Sequence, residues 1–236
     1  HLPRENIQIE PSPAGTAPCL GLAAIRLRRI SASDRAVMIS LHADHVVREE
    51  ERFRQALITA IEAARRDYLV TIGIVPGYPE TGFGYIERAD LLGRRGEQPV
   101  YRVARFTEKP HLELAREFVS SGRFYWNTGY FTWTLDRILG EFLRLQPVMF
   151  SQLKDVADAL ETPEGIQAAS CIWAQIQPTT IDVRIMERAR DVAVLPCDLG
   201  WSDIGSWAAL LDILGRDSAN NAIMGGAQHI GLDTSG

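Results

Sequence analysis

The segment AVMISLHADH, residues 36–45, decides the fold class. Its first six residues are almost continuously apolar, which is typical of a strand buried on both faces of a parallel sheet. A polar turn that contains Asp44 follows, and residues 46–66 then carry apolar side chains at helical spacing. Residues 69–76 form a second apolar run. Because a strand, a helix and a strand in this order require a right-handed crossover, we predict an α/β fold with a mostly parallel sheet flanked by helices.

The chain has 236 residues, of which 46% are hydrophobic. This length and apolar content are enough for one large α/β domain. A net charge of -5 and short, scattered arginine clusters argue against nucleic acid as the main partner. Three widely spaced cysteines predict neither a disulfide framework nor a zinc site, and they fit a reduced, cytoplasmic setting. We find no apolar run of membrane-spanning length and no signal peptide, so we expect no membrane partner.

A second carboxylate lies in the segment GWSDIGSW, residues 200–207, which follows the apolar run of residues 192–195. Asp203 is either the N-cap of the next helix or part of a site at the end of the preceding strand. Asp44 occupies a similar position after the first strand. Since the carboxyl ends of parallel strands share one edge of a sheet, we expect the two carboxylates to meet in one crevice. Two protein oxygens, completed by phosphates and water, suit Mg²⁺.

Histidines flank the first carboxylate at positions 42 and 45. A two-histidine metal site and an ordinary exposed or structural pair are both compatible with this spacing. The small residues at positions 12–18, before the first helix, likewise allow two interpretations. They form either an ordinary proline and glycine turn or a loop whose N–H groups approach a ligand.

Further polar residues occur beside predicted strands. Residues 77–86 combine three glycines, which let a backbone approach a ligand closely, with three aromatic residues that can form a pocket wall. Glu108 and Lys109 follow a predicted strand. They are either a surface pair or, at a pocket mouth, an acceptor for sugar hydroxyls beside a positive charge for a phosphate. Asn127 is the single amide in an aromatic strand, and Asp182 is either a helix N-cap or a pocket residue. Metal, phosphate and sugar chemistry together indicate a nucleotidyltransferase that acts on a sugar phosphate.

Six short motifs in a fixed order resemble bacterial mannose-1-phosphate guanylyltransferases, the enzymes that make GDP-mannose. They are TAP at residues 16–18, ADH at 43–45, TGFGYI at 81–86, FTEKP at 106–110, WNTG at 126–129 and GWSDIGSW at 200–207. Each motif is modest alone, but six in this order are specific, and the resemblance runs from about Leu2 to Gly236. It implies a Rossmann-like fold of the nucleotide-diphospho-sugar transferase type.

The resemblance also implies roles for the matching residues. Asp44 and Asp203 would be Mg²⁺ ligands, and together with Lys109 on the sugar phosphate they would form the catalytic group. The residues implied to contact substrate are Thr16, Ala17 and Pro18 beside the guanosine, together with Gly84, Tyr85, Glu108, Asn127 and Asp182. Mannose 1-phosphate would attack the α-phosphorus of GTP and release pyrophosphate without a protein nucleophile. A homodimer is compatible with this family.

The chain departs from the family pattern in one main respect. The glycine-rich loop that cradles the triphosphate and carries a catalytic arginine has no counterpart in the sequence. We therefore expect an N-terminally incomplete catalytic domain over residues 1–217, inactive by itself, with a linker and the start of a C-terminal β-helix over residues 218–236. Two alternatives to guanylyl transfer stay open. They are a nucleotidyltransferase for another sugar 1-phosphate that uses dTTP, UTP or ATP, and a catalytically silent relative that binds sugar nucleotides.

Overall fold

The computed structural model describes residues 2–205 and residue 210. The α-helices are α1 Thr16–Ile30, α2 Glu50–Ala64, α3 Leu112–Ser121, α4 Leu135–Leu145, α5 Pro147–Ala159 and α6 Ile166–Trp173. The strands are β1 Val37–Ser40, β2 Leu69–Ile74, β3 Tyr85–Arg95, β4 Gln98–Thr107, β5 Phe124–Thr134 and β6 Val192–Pro196. Short 3₁₀ turns cover Arg4–Asn6 and Pro163–Gly165, and a π-helical turn covers Asp182–Met186. Within the described residues, no helix is both long enough and apolar enough to cross a bilayer.

All six strands belong to one sheet in the order β1-β5-β2-β6-β4-β3. The predicted α/β class, with a central sheet flanked by helices, is confirmed. Strand pairing differs from the mostly parallel pattern that we expected. Strands β1, β2, β3 and β6 share one direction, but β5 lies between β1 and β2, and β4 lies between β6 and β3. The pair β2–β6 is therefore the single parallel pair of neighbours among the described strands. The sequence did not reveal this pairing, because an apolar run indicates burial and not the direction of the adjacent strand.

Helices cover both faces of this sheet. Helices α1, α4, α5 and α6 pack on one face, around a core that contains Phe142 and Trp173. Helices α2 and α3 cover the other face, where Phe118 packs with the aromatic residues of β3 and β5. Strand β5 contributes to both cores, with Trp133 on one face and Trp126 on the other. The aromatic segment predicted around Asn127 is therefore a central strand, in which Asn127 itself is half-buried.

Two local predictions fail for identifiable reasons. The alternation of apolar and polar residues over 7–9 predicts a short strand, but these residues have no regular structure, and Ile9 is 79% exposed. We did not predict β3, whose hairpin with β4 turns at Gly96, a residue with φ of 58°. Register shifts and many charged side chains interrupt the alternation of apolar and polar residues that would have indicated this strand.

The chain leaves β1 and β6 in the same direction, since both strands run parallel to β2. The segments that carry Asp44 and Asp203 therefore start from the same edge of the sheet. The helix expected after the GWSDIGSW motif and the predicted boundary at residue 217 lie outside the described residues.

Candidate active site

An open pocket lies where the segments that follow β1, β4 and β6 meet the first half of β5. Its lining residues are His42, His45, Gly82, Phe83, Gly84, Glu108, Lys109, Asn127, Thr128, Gly129, Asp182, Trp201 and Asp203. Six of the residues selected from the sequence are thus found around one cavity: Gly84, Glu108, Lys109, Asn127, Asp182 and Asp203. They come from five separate parts of the chain, so the fold assembles the site from distant motifs.

An isolated antiparallel bridge between Val46 and Ser202 brings the two carboxylate turns together. Val46 N donates to Ser202 O at 2.8 Å, and Ser202 N donates to Val46 O at 3.0 Å. Asp44 lies two residues before this bridge, and Asp203 lies one residue after it. Burial and His42 lower the pKa of His45, and the negative charges of Asp44 and Asp203 oppose this lowering, so both carboxylates lie near the ring. The expectation that these two turns meet is therefore consistent with the structure.

The close packing of the two turns depends on Gly200. This residue has φ of 56°, a conformation that glycine adopts without strain. A Cβ atom here would lie 2.9 Å from Cβ of Arg48, so a side chain would push the turns apart. The carbonyl of Leu199 then accepts hydrogen bonds from the N–H groups of Arg48 and Glu49. The glycine of the GWSDIGSW motif thus has a defined structural role.

The Asp203 carboxylate also stabilises its own turn. Its Oδ1 atom accepts a hydrogen bond from Gly205 N at 3.0 Å, and Ser202 Oγ accepts one from Ile204 N at 3.2 Å. These bonds are local turn interactions of the kind that aspartate and serine favour. The alternative prediction, that Asp203 caps the next helix, falls on residues outside the described part of the chain.

The His45 ring is held between Trp201 and His42. Trp201 Nε1 is 3.1 Å from His45 Nδ1, and the two histidine rings stack with centroids 4.4 Å apart. Because an indole N–H can only donate, His45 Nδ1 must accept, and a neutral ring then carries its proton on Nε2. Burial lowers the pKa of His45, with a further lowering from His42, which favours this neutral form.

A cluster of possible metal ligands surrounds this ring. His42, Asp44 and His45 each offer one ligand atom, and these atoms lie within 4.8 Å of one another. While Trp201 occupies Nδ1, however, a neutral His45 ring has no free lone pair for a metal. The geometry therefore argues against the two-histidine site that the sequence left open, and oxygen ligands from Asp44 and Asp203 fit a hard cation such as Mg²⁺ better.

Asn127 is the centre of a hydrogen-bond network beneath the pocket. Its Nδ2 atom donates to Asp182 Oδ1 at 2.7 Å. Its Oδ1 atom accepts from Thr71 Oγ1 at 3.1 Å and from Gly129 N at 3.2 Å. Asp182 begins the π-helical turn but lines the pocket, so it acts as a pocket residue and not simply as a helix cap. Burial raises its pKa, against an opposing effect of the Asn127 hydrogen bond.

Glu108 and Lys109 enter the pocket together. Lys109 has φ of 43°, and its Nζ atom lies 3.7 Å from Glu108 Oε1, so a turn in the backbone places both side chains on one side. The missing side chain of Gly84 makes room for the carboxylate, since a Cβ there would lie 2.6 Å from Glu108 Oε2. Burial, and then the charge of Asp182, raises the pKa of Glu108. The pocket thus holds two partly desolvated carboxyl groups beside one ammonium group.

Four residues predicted to contact substrate do not line the pocket. Ala17 and Pro18 are buried at the start of α1, and Thr16 Oγ1 accepts a hydrogen bond from Ile181 N at 2.9 Å. The Tyr85 side chain is fully buried, and its hydroxyl donates to the carbonyl of Glu80 at 2.8 Å. The side chains of Ala17, Pro18 and Tyr85 are thus buried away from the pocket, and their contacts with substrate stay a prediction.

The start of α1 nevertheless supports the site indirectly. Ala17 N donates to Thr179 O at 3.2 Å, so the helix packs directly against the segment that leads into Asp182. Sequence reasoning also missed two residues, Thr71 and Trp201. A hydroxyl in the otherwise apolar run of β2 was the available signal for Thr71, whereas the partner of Trp201 could not be identified without the fold.

Comparison with known proteins matches residues 3–219 to the nucleotidyl transferase family. The chain belongs to this family. Among the curated family relatives, it is 37% identical over 222 residues to the mannose-1-phosphate guanylyltransferase of Escherichia coli K12, covering 94% of this chain and 46% of the relative. It is also 37% identical over 218 residues to the enzyme of the same name from Salmonella typhimurium, covering 92% and 45%. The resemblance inferred from the six motifs is confirmed, and the chain spans somewhat less than half the length of these relatives.

Solved structures support the fold of this nucleotidyl transferase family member. A protein from Thermus thermophilus described as a mannose-1-phosphate geranyltransferase superposes with a TM-score of 0.80 at 30% identity, covering 96% of this chain and 63% of that one. A protein from Helicobacter pylori described as a mannose-6-phosphate isomerase gives a TM-score of 0.68 at 25% identity, covering 82% and 72%.

Proposed function

We propose that this chain is the catalytic unit of an enzyme that transfers GMP from GTP to mannose 1-phosphate, giving GDP-mannose and pyrophosphate. The observation that carries this proposal is the single pocket in which the Asp203 turn meets Glu108, Lys109, Asn127 and Asp182. Family membership and the 37% identity to enzymes named mannose-1-phosphate guanylyltransferase support the choice of substrates.

The metal in this proposal is Mg²⁺, held by Asp44 and Asp203. Two carboxylates with phosphate and water as the other ligands match the coordination that Mg²⁺ prefers. The bound ion supplies positive charge against the phosphate groups. The protein's part is to hold the two turns at a fixed separation through the Val46–Ser202 bridge.

The sugar phosphate occupies the opposite side of the pocket in this proposal. Lys109 provides the point charge for its phosphate, and Glu108 and Asp182 accept hydrogen bonds from sugar hydroxyls. Asn127 offers the amide N–H that is not used by Asp182. Because phosphoryl transfer needs orientation and charge neutralisation and no protein nucleophile, these contacts suffice to align the attacking oxygen.

The test is product formation by the enzyme of which this chain is the proposed catalytic unit, from mannose 1-phosphate and Mg²⁺ with GTP, dTTP, UTP or ATP as the nucleotide, measured by chromatography. We expect GDP-mannose with GTP and little product with the other three nucleotides. A preference for another nucleotide would contradict the guanylyl assignment. Absence of every product, together with GDP-mannose binding measured by calorimetry, would favour a silent sugar-nucleotide-binding protein. Sedimentation of the same sample tests the expected homodimer.

A further inference from the structure

Thr71 is a polar residue in a strand that is otherwise apolar. It is the third residue of β2, all of whose residues are buried, and it is itself fully buried. Its hydroxyl lies 3.1 Å from Asn127 Oδ1 on the neighbouring strand β5. Thr71 is not among the pocket-lining residues, so any effect on a bound ligand must pass through Asn127.

The hydrogen bonds around Asn127 determine which end of its amide faces which partner. Gly129 N is a donor only, so the atom 3.2 Å from it must be the amide oxygen. The Thr71 hydroxyl, which can donate or accept, must then donate to that oxygen. The amide nitrogen consequently faces Asp182, whose carboxylate accepts at 2.7 Å. A single orientation of the Asn127 amide therefore satisfies all three hydrogen bonds.

We propose that Thr71 is a positioning residue for sugar recognition. By fixing the amide oxygen of Asn127, it directs one N–H of Nδ2 to Asp182 and leaves the second N–H for the ligand. Asn127 and Asp182 then act as one unit that offers a donor and an acceptor to a sugar hydroxyl. The identity of the ligand rests on the proposed function, whereas the orientation of the amide does not.

The physical reason is the freedom of an asparagine amide. Its terminal torsion is broad and roughly two-fold, so its orientation is set by its partners and not by its rotamer alone. Without the Thr71 hydroxyl, a single backbone N–H holds the oxygen. A rotated amide would turn its oxygen toward the carboxylate of Asp182, which has no proton to donate when ionised.

The test compares Thr71→Val, which removes the hydroxyl at nearly constant shape, with Thr71→Ser, which keeps it. Thr59→Val is the matched control, because the Thr59 hydroxyl is also buried but donates to Gln55 O within α2. Calorimetry with mannose 1-phosphate and GDP-mannose measures binding. We expect Thr71→Val to weaken binding about 5- to 30-fold, as for one lost buried hydrogen bond, and Thr71→Ser to restore it.

A second readout does not depend on the ligand. The side-chain amide signals of Asn127 in a ¹H–¹⁵N spectrum should shift in Thr71→Val and remain unchanged in Thr71→Ser and Thr59→Val. Unchanged Asn127 signals in Thr71→Val would overturn the inference, as would an equal loss of binding in Thr59→Val. If the unmodified chain bound neither ligand while the Asn127 signals responded as expected, the proposed function would fail and the positioning role would stand.

Discussion

Val46 and Ser202 exchange two backbone hydrogen bonds, of 2.8 Å and 3.0 Å, although they belong to segments that leave different strands. This pairing makes the separation of Asp44 and Asp203 a property of the backbone. Substitutions at either aspartate should therefore change charge at the site while leaving the two turns in place.

The first prediction concerns the contact between Gly84 and Glu108. In Gly84→Ala the new methyl group would lie 2.6 Å from Glu108 Oε2, too close for any unstrained contact, so the carboxylate must move. We expect about tenfold weaker binding of mannose 1-phosphate, measured by calorimetry, with a small change in thermal stability. Gly77→Ala is the control, because no atom lies within 4 Å of the corresponding position. Equal affinities in the two variants would rule out this role for Gly84.

The second prediction follows from the raised pKa of Asp182, which burial produces. An acid whose pKa is higher in the folded state than in the unfolded state favours folding when protonated. Its stabilising contribution is fully present below the unfolded value, near 3.8, and is lost as the pH rises through the folded pKa. The titratable groups near Asp182 are His42, Glu108, Lys109 and Glu187.

Asp182→Asn removes this titration and keeps an acceptor for Asn127. We therefore expect the melting temperature of the variant minus that of the unmodified chain to be larger at about pH 7 than at about pH 4. Circular dichroism melts at the two pH values measure this difference. The raised pKa would be refuted by a difference between the two proteins that is the same at both pH values.

Most of the helices and strands could be predicted from the sequence, because the spacing of apolar residues indicates which face of an element is buried. The apolar spacing of residues 135–145 predicts a helix, and α4 has the bounds Leu135–Leu145, with Thr134 capping it through a hydrogen bond from Arg137 N. The helix predicted from residue 46 in fact begins at Glu50. Residues 46–49 instead bond to the segment around Leu199, a long-range pairing that no local pattern reveals.

The same limit applies to the site. Asp203, Glu108 and Asn127 were identifiable because a polar residue beside an apolar strand invites an explanation. The bond from Trp201 to His45 and the bond from Thr71 to Asn127 join distant positions, so they emerged only from the fold. The motif match also predicted that Tyr85 contacts substrate, whereas in the structure its ring is buried in the core.

The third prediction concerns a buried ionic cluster remote from the pocket. Glu141 is 3% exposed and pairs with both Arg137 and Arg144, which also donate to backbone carbonyls just before β6. Glu141→Gln would remove the carboxylate shared by two guanidinium groups, of which the Arg144 side chain is 44% exposed, so we expect the free energy of unfolding to fall by about 1–3 kcal/mol. Urea denaturation measures the change.

The matched control for this cluster is Glu161→Gln. Glu161 pairs with Arg29 at 3.0 Å, but its side chain is 64% exposed, and such surface pairs contribute about 1 kcal/mol or less. Similar losses of the free energy of unfolding in both variants would show that the Glu141 cluster stabilises the protein no more than a surface ion pair does.

The most direct test of the whole account is Mn²⁺ binding in the presence of GDP-mannose, followed by the electron paramagnetic resonance signal of free Mn²⁺. If Asp44 and Asp203 hold the metal together, Asp44→Asn and Asp203→Asn should each weaken binding by about tenfold or more. Asp198→Asn, at a neighbouring carboxylate that is 84% exposed, should leave binding unchanged. Binding by Asp203→Asn equal to that of the unmodified chain would contradict the shared metal site.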